Sequence, residues 1–280
     1  MKNPRSRPVV TATVLGLAAV TALGWAGLSY SQDQDRTTLQ AIEAHRAMLQ
    51  DGNPADLYAM RGEQLWRERR GPANASLERC DLGLGPGVVK GAFVQLPRFF
   101  ADTNRVQDLE SRLLTCMQTL QGIDISQVST RNFIRPGETA NVVAIATWVA
   151  DQSKGMRFNV PNSHPAEQTM YHLGERMFFT RAGTHDFSCA TCHSIKGGRI
   201  RLQDLPLLND NPPDKVGFAA WPAYRISSGQ MWSMQHRIND CFRQMRFPEP
   251  KFASDATIAL SVYMGVHAKG TVSDVPAIRR

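Results

Sequence analysis

The chain has 280 residues, a length that suits two modest domains or one large one. It carries 32 Lys and Arg against 25 Asp and Glu, a formal net charge of +7, and five cysteines. The charge comes without the basic clustering or motif of a nucleic-acid binder, which excludes that class. An odd cysteine count in an exported chain flags one leftover thiol.

The first residues read as an export signal. Lys2, Arg5 and Arg7 form a positive n-region, and an apolar run from Val9 to about Leu28 comes next. "SYSQDQD" offers a small-x-small site with cleavage after Ser31. An uncleaved anchor is the alternative, because the apolar run approaches the length of a bilayer span. There is no Arg-Arg pair in this leading segment, so a general export route is expected. The mature chain, 280 − 31 = 249 residues, is expected to be soluble and periplasmic, with no membrane segment after cleavage. It keeps a net charge of +4, concentrated in 161–280, which holds 14 basic against 10 acidic residues. Such a field can steer an anionic substrate.

Two amphipathic helices are predicted first, in "TTLQAIEAHRAMLQD" and "ADLYAMRGEQLWRERRG". "CDLGLGPGVVKGAFVQLPRFF" is punctuated as loop. "RVQDLESRLLTCMQTLQG" and "PGETANVVAIATWVADQSKG" have helical spacing, and "FNVPNSHP" reads as a linker. The second half repeats the order. "AEQTMYHLGERMFFT" is a helix, "NDNPPDKVGFAAWPAY" a loop and "GQMWSMQHRINDCFRQM" a helix. "SDATIALSVYMGVHAKG" is a last helix with Ser254 as N-cap. Arg112 precedes Cys116 by four residues, as Arg237 precedes Cys241, and "ERCDLG" stands where "FSCATCH" stands later. This predicts a mainly α duplicated domain, with β-patterned runs scarce.

"SCATCHS" spells C-x-x-C-H, the attachment motif of a c-type haem. Cys189 and Cys192 would form the thioethers, and His193 would be the proximal iron ligand. A zinc site would want two more close ligands, and a redox dithiol a βαβ setting. The sixth ligand is open between a downstream methionine (Met231, Met234, Met245 or Met264) and the thiol of Cys241. Arg237 shares a helix face with Cys241, where a guanidinium would lower the thiol's pKa and could grip an oxyanion. Arg243 and Arg246 are nearby. Cys80 and Cys116 can pair, which an oxidising compartment permits. His45, His164, His172, His185 and His267 are read as surface or packing residues.

Taken together, "SLERCDLGLGPGVVKGAFVQLPRFFAD", "DLESRLLTCMQTLQG", "SCATCHS" and "HRINDCFRQMR" resemble the SoxA family. These are the larger cytochrome subunits of bacterial thiosulfate-oxidising systems. The resemblance implies two fused cytochrome c-like domains: a haemless one at 32–160 and a haem-binding one at 161–280. It implies one covalent haem and a small SoxX-like cytochrome partner. The implied activity is L-cysteine S-thiosulfotransferase, joining thiosulfate to a cysteine of the carrier SoxYZ while electrons leave to a downstream acceptor cytochrome. Cys189 and Cys192 match the haem-attachment cysteines, and His193 the proximal ligand. Cys241 matches an iron-ligating cysteine that carries a persulfide, and Arg237 the substrate-binding arginine. Only one C-x-x-C-H is present, so the chain resembles the single-haem subtype, in which Cys80 and Cys116 form a disulfide. The competing class is a plain periplasmic electron carrier.

Overall fold

A computed structural model describes residues 52–126, 138–200, 203–210 and 217–279, with positions 40 and 44. The export signal and most of the first amphipathic stretch lie outside the described residues. Asn53–Arg280 forms one compact unit. Seven α-helices occur among its described residues: α1 (Ala55–Arg67), α2 (Leu109–Gln121), α3 (Glu138–Asp151), α4 (Pro165–Phe179), α5 (Cys189–His193), α6 (Met234–Gln244) and α7 (Asp255–His267). The mainly α prediction holds. No helix among the described residues is long and apolar enough to cross a membrane.

Two helix pairs carry the core. Helix α1 packs on α3, and α4 on α7. Each crossing is set by one glycine. A Cβ at Gly62 would collide with the Ala144 carbonyl and the Trp148 Cβ, and one at Gly174 with the Ala259 carbonyl and the Tyr263 Cβ. Only a residue without a side chain lets the backbones approach so closely. Aromatic pairs fill the adjacent turn: Trp66 lies 5.5 Å from Trp148, and Phe178 lies 5.0 Å from Tyr263. Helix α7 is apolar nearly all round, and Thr257 through Gly265 are all buried.

The two halves repeat one another closely downstream of these glycines. In each, a 3-10 turn (Phe93–Gln95; Phe218–Ala220) leads to a short hairpin and then a capped helix. The first hairpin pairs β1 (Arg98–Phe100) with β2 (Arg105–Gln107), and the helix is α2, capped by Asp108. The second pairs β5 (Ala223–Arg225) with β6 (Gln230–Trp232), and the helix is α6, capped by Ser233. A constant offset of 125 residues relates these positions (218 − 93, 233 − 108, 241 − 116). A small hairpin, β3 (Arg199–Ile200) with β4 (Gln203–Asp204), comes after α5, and β7 (Ala277–Arg279) adds in parallel to β5.

Three expectations change. Helices predicted from Arg105 and Gly229 begin later, at Leu109 and Met234, because the residues before each cap are taken up in hairpin pairing. "FNVPNSHP" is no loose linker. The Phe158 N–H donates to Thr271 O and Asn159 N–H to Val94 O, both within 2.9 Å. The Phe158 ring is buried, 5.6 Å from both Phe93 and Phe218, residues equivalent under the repeat. Burial of one large aromatic between the two halves outweighs the Pro and Asn signals for a flexible joint. Ser254 does precede α7, but its hydroxyl makes no capping bond.

Cys80 and Cys116 form a disulfide, with Cα atoms 5.6 Å apart and a separation of 36 positions in sequence. Both are buried. Closing a loop of that length contributes roughly 3–4 kcal/mol in the chain-entropy picture. The double substitution C80S/C116S is expected to lose about that much, read as a lower midpoint in urea with a steeper slope, because the unfolded chain is no longer cross-linked. Gly174→Ala is expected to lose about 1–3 kcal/mol through the forced separation of α4 and α7. Thermal melting at neutral pH checks it, and an unchanged midpoint would count against a glycine-dependent close approach.

Candidate functional site

The C-x-x-C-H segment folds as the short helix α5 because its start is fully capped. Ser188 Oγ accepts from Thr191 N–H, and Thr191 Oγ1 accepts from Ser188 N–H, 3.2 and 3.0 Å. Ser188 is buried. The helix therefore presents Cys189, Cys192 and His193 from one fixed turn.

His193 is held from two sides by the segment 206–208. Its Nδ1 lies 2.9 Å from the Pro206 carbonyl, and the Leu208 N–H donates to the His193 carbonyl at 3.1 Å. A carbonyl can only accept, so Nδ1 carries the proton and Nε2 is left with its lone pair. Burial lowers the pKa of His193, opposed by the bond to Pro206 and aided by the Arg237 charge. A neutral imidazole with a fixed tautomer is what an axial metal ligand requires.

Helix α6 brings the remaining groups. It has a Ser233 cap, whose oxygen accepts from His236 N–H, and a strongly one-sided apolar face. Arg237, Asp240 and Cys241 lie three and four residues apart, so they share a face. Arg237 Nη1 donates to Asp240 Oδ2 at 3.0 Å. Gln244 Nε2 donates to the same oxygen at 2.7 Å, and Arg243 to Oδ1. Asp240 is 7% exposed, so three side chains converge on one buried carboxylate. Cys241 is half-buried as a residue, with its thiol desolvated.

The sulfurs and charges of the two segments act on one another. Arg237 lowers the pKa of both His193 and Cys241. Cys192 raises that of Cys241, and Cys241 that of Cys189. The structure thus brings Cys189, Cys192, His193, Arg237 and Cys241 within electrostatic range of each other. One expected effect is present but outweighed. Arg237 does pull the Cys241 pKa down, yet desolvation is larger and the thiol lies above its ordinary value. The guanidinium is shared with Asp240, whose own charge pushes the thiol up.

Other predicted positions separate cleanly. Arg243 and Arg246 are exposed, and Arg243 serves Asp240. Met231 and Met264 are packed in the core. His164 stacks on Phe99, with ring centres 3.8 Å apart, and caps α4. His267 meets the Tyr171 hydroxyl at 3.2 Å. His45 lies outside the described residues. Two contributors carried no strong local signal. Asp240 adjoins Cys241 but reads in isolation as a solvated charge. Arg225 sits over the Trp232 ring, 5.1 Å from its centre, and its charge reaches Cys241. Only tertiary pairing of β5 with β6 places it there.

The arrangement suits a porphyrin. Two thiols and an imidazole come from one helical turn, with the imidazole's metal-binding nitrogen free. Large apolar side chains flank the motif with much of their surface uncovered: Phe187 at 40%, Ile195 at 57% and Ile200 at 49%. A flat apolar macrocycle would cover such groups. Among the described residues no set of three or more His, Cys, Asp or Glu side chains is grouped to hold a bare metal ion.

Fold and motif together define a c-type cytochrome. The family model for the SoxA/TsdA cytochrome c domain matches residues 61–158, within the half that lacks C-x-x-C-H. Over 274 residues the chain is 51% identical to the L-cysteine S-thiosulfotransferase subunit SoxA of Hydrogenophilus thermoluteolus, covering 98% of this chain and 100% of that one. A protein of the same name from Hydrogenobacter thermophilus is 37% identical, over 81% and 82% of the two chains. The crystal structure of SoxXA from P. pantotrophus superposes with a TM-score of 0.70 at 24% identity, covering 85% of this chain and 84% of that one. The chain belongs to the SoxA family.

Asp240→Asn is expected to cost about 2–3 kcal/mol, because two charge-assisted bonds at a buried acceptor are weakened together. Thermal melting at neutral pH measures it. A loss below about 0.5 kcal/mol, typical of exposed pairs, would contradict a buried convergence on Asp240.

Proposed function

We propose that this chain is the haem-bearing subunit of a periplasmic L-cysteine S-thiosulfotransferase, acting with a small SoxX-like cytochrome. In this reading residues 32–160 are a haemless cytochrome c-like domain and 161–280 the haem-binding one. The observation that carries it is the convergence of Cys241 and Arg237 on the C-x-x-C-H segment. One haem would be held by thioethers to Cys189 and Cys192, with His193 Nε2 and the Cys241 sulfur as the groups offered to its iron. When bound, it supplies an electron acceptor beside Cys241.

The chain's own groups bind and orient the substrate. Thiosulfate is a dianion, drawn by the positive surplus of the second half. The Arg237 guanidinium, oriented by Asp240, offers paired N–H donors to the sulfonate oxygens. The sulfane sulfur is then adjacent to the Cys241 sulfur. Formation of the S–S bond between a thiolate and thiosulfate releases two electrons, which leave to the electron-acceptor cytochromes. The product is a Cys241 S-thiosulfonate. A thiolate of the SoxYZ carrier attacks its sulfane sulfur, taking the thiosulfonate and returning Cys241 as the leaving thiolate. Sulfur and charge balance over the two steps, and the carrier thiol's proton goes to solvent. A Cys241 persulfide would perform the same exchange with one further sulfur.

Cys241→Ala is expected to abolish thiosulfate conjugation while intact mass still shows one attached haem. Turnover near that of the parent protein would remove Cys241 from the mechanism. Arg237→Ala is expected to raise the KM for thiosulfate by about 10- to 100-fold, the worth of a charge-assisted pair. Steady-state kinetics at fixed carrier concentration would test this, an unchanged KM speaking against the assigned role.

A further inference from the structure

Helix α6 starts on a weak cap of its own. Ser233 Oγ accepts from His236 N–H at 3.4 Å, whereas the equivalent cap of α2 is a full box, in which Asp108 and Ser111 exchange two bonds of 3.0 Å. The start of α6 is held instead by Gln235, its second residue, which is fully buried. Gln235 Nε2 donates to Asp108 Oδ2 at the start of α2. Gln235 Oε1 accepts from Ala253 N–H at 2.6 Å and from Thr257 Oγ1 at 3.4 Å, at the start of α7. One turn on, Asn239 Nδ2 donates to the Gln235 carbonyl at 3.1 Å. One amide side chain thus joins the starts of three helices.

The partners demand an amide. Ala253 N–H can only donate, so Oε1 lies on that side and Nε2, a donor, faces Asp108. Asp108 accepts at both oxygens, Oδ1 from Ser111 N–H and Oδ2 from Nε2, the pattern of a carboxylate. An apolar side chain at 235 would leave Asp108 Oδ2 and Ala253 N–H without these bonds. Ala253 has a left-handed backbone, φ 55, which a residue with a Cβ takes rarely and which the bond from its N–H holds in place. The far end of α6 touches the other part of the site. Met245 N–H donates to the Cys241 carbonyl at 2.9 Å, and a Cβ on Gly183 would collide with the Met245 carbonyl and the Phe247 ring. Gly183 belongs to the turn closed by the pairing of Ala182 with Phe187, which leads directly into Ser188 and α5. With that end of α6 pressed against the leader of the C-x-x-C-H segment, a loosened start would tilt the helix about it.

We propose that Gln235 is a positioning residue for the site: its amide fixes the start of α6, and thereby the pose of Arg237 and Cys241 towards the C-x-x-C-H segment. At 3.6 residues per turn, Arg237 lies about 200° round the helix from Gln235. Gln235 therefore grips the buried side while Arg237 is presented on the other, and it acts on the substrate only through the helix. This role rests on the assignment of Cys241 and Arg237 to the reaction.

The test uses the haem-loaded full chain with Gln235→Leu, Asp108→Asn and the double variant D108N/Q235E. Gln235→Leu removes the hold, and Asp108→Asn sets an amide donor against Nε2. The double variant reverses the polarity: the new amide at 108 donates to the new carboxylate at 235, which still accepts from Ala253 N–H. Three quantities are measured on each protein at one pH: hydrogen exchange of the peptide 234–245, KM and kcat for thiosulfate, and the electron paramagnetic resonance spectrum of the ferric iron. Each single variant is expected to exchange about tenfold faster in this peptide, to lose about tenfold in kcat/KM through a raised KM, and to show a second set of ferric signals. The double variant should recover exchange and KM to within about twofold of the parent and show a single set of ferric signals. A merely structural bond would lower the melting temperature of the single variants and leave KM and the spectrum as in the parent. That result would overturn the proposal, as would a double variant no better than Asp108→Asn. If Gln235→Leu fails to fold, the comparison of Asp108→Asn with the double variant decides alone. Exchange and KM do not depend on whether Cys241 forms a covalent intermediate. An active Cys241→Ala variant alongside the expected rescue would therefore sink the transfer mechanism and leave Gln235 standing as the positioner of Arg237.

Discussion

The fixed helical register of Arg237, Asp240 and Cys241 is the constraint on which the site depends. A buried carboxylate cannot stay unpaired, so Asp240 gathers Arg237, Arg243 and Gln244 around it. That satisfies the charge and also fixes the direction of Arg237, whose field then reaches both His193 and Cys241. On the other side, the bond between His193 and the Pro206 carbonyl settles which imidazole nitrogen faces outward. Neither feature concerns sulfur chemistry directly. Each removes a freedom that an iron ligand or an anion-binding side chain would otherwise lose on binding.

The repeat shows how the same framework supports two ends. At equivalent positions the first half has Arg112 and Cys116, the second Arg237 and Cys241. Cys116 is spent on the disulfide to Cys80. Arg112 is taken up in packing: it bonds both oxygens of Asp102 at 2.9 and 2.8 Å and the Asp81 carbonyl at 2.6 Å, and lies 4.1 Å from the Phe100 ring centre. With 5% of its side chain exposed, it has no donor face to offer solvent. Arg237 keeps 26% exposure and a single bonded carboxylate. The arginine offset is thus a property of the scaffold, and its availability is a property of the second half. The disulfide ties one half together where the other has its C-x-x-C-H segment.

Much of this was legible in the sequence, and the reasons differ by element. The helices around Gly62 and Gly174 have long apolar periodicity, which local pattern reveals. C-x-x-C-H is legible because three chemistry-bearing residues fall in five. The hairpins were not legible, since three-residue strands carry too little periodicity to stand against the helical pattern beyond them. The linker reading failed because Phe158 is surrounded by Pro and Asn, and its burial between Phe93 and Phe218 is a tertiary fact. The raised pKa of Cys241 was missed for the same reason: neighbouring arginines are visible in sequence, whereas desolvation is not. The contact of Asp108 with Gln235 joins residues 127 apart (235 − 108), beyond any local signal.

The proposed function would have the Cys241 sulfur, together with His193, hold the haem iron. X-ray absorption at the iron edge of the oxidised, haem-loaded protein tests it most directly. One sulfur scatterer is expected in the first coordination shell, absent in the Cys241→Ala protein. A first shell of nitrogen alone, or a sulfur that persists when Cys241 is removed, would contradict it.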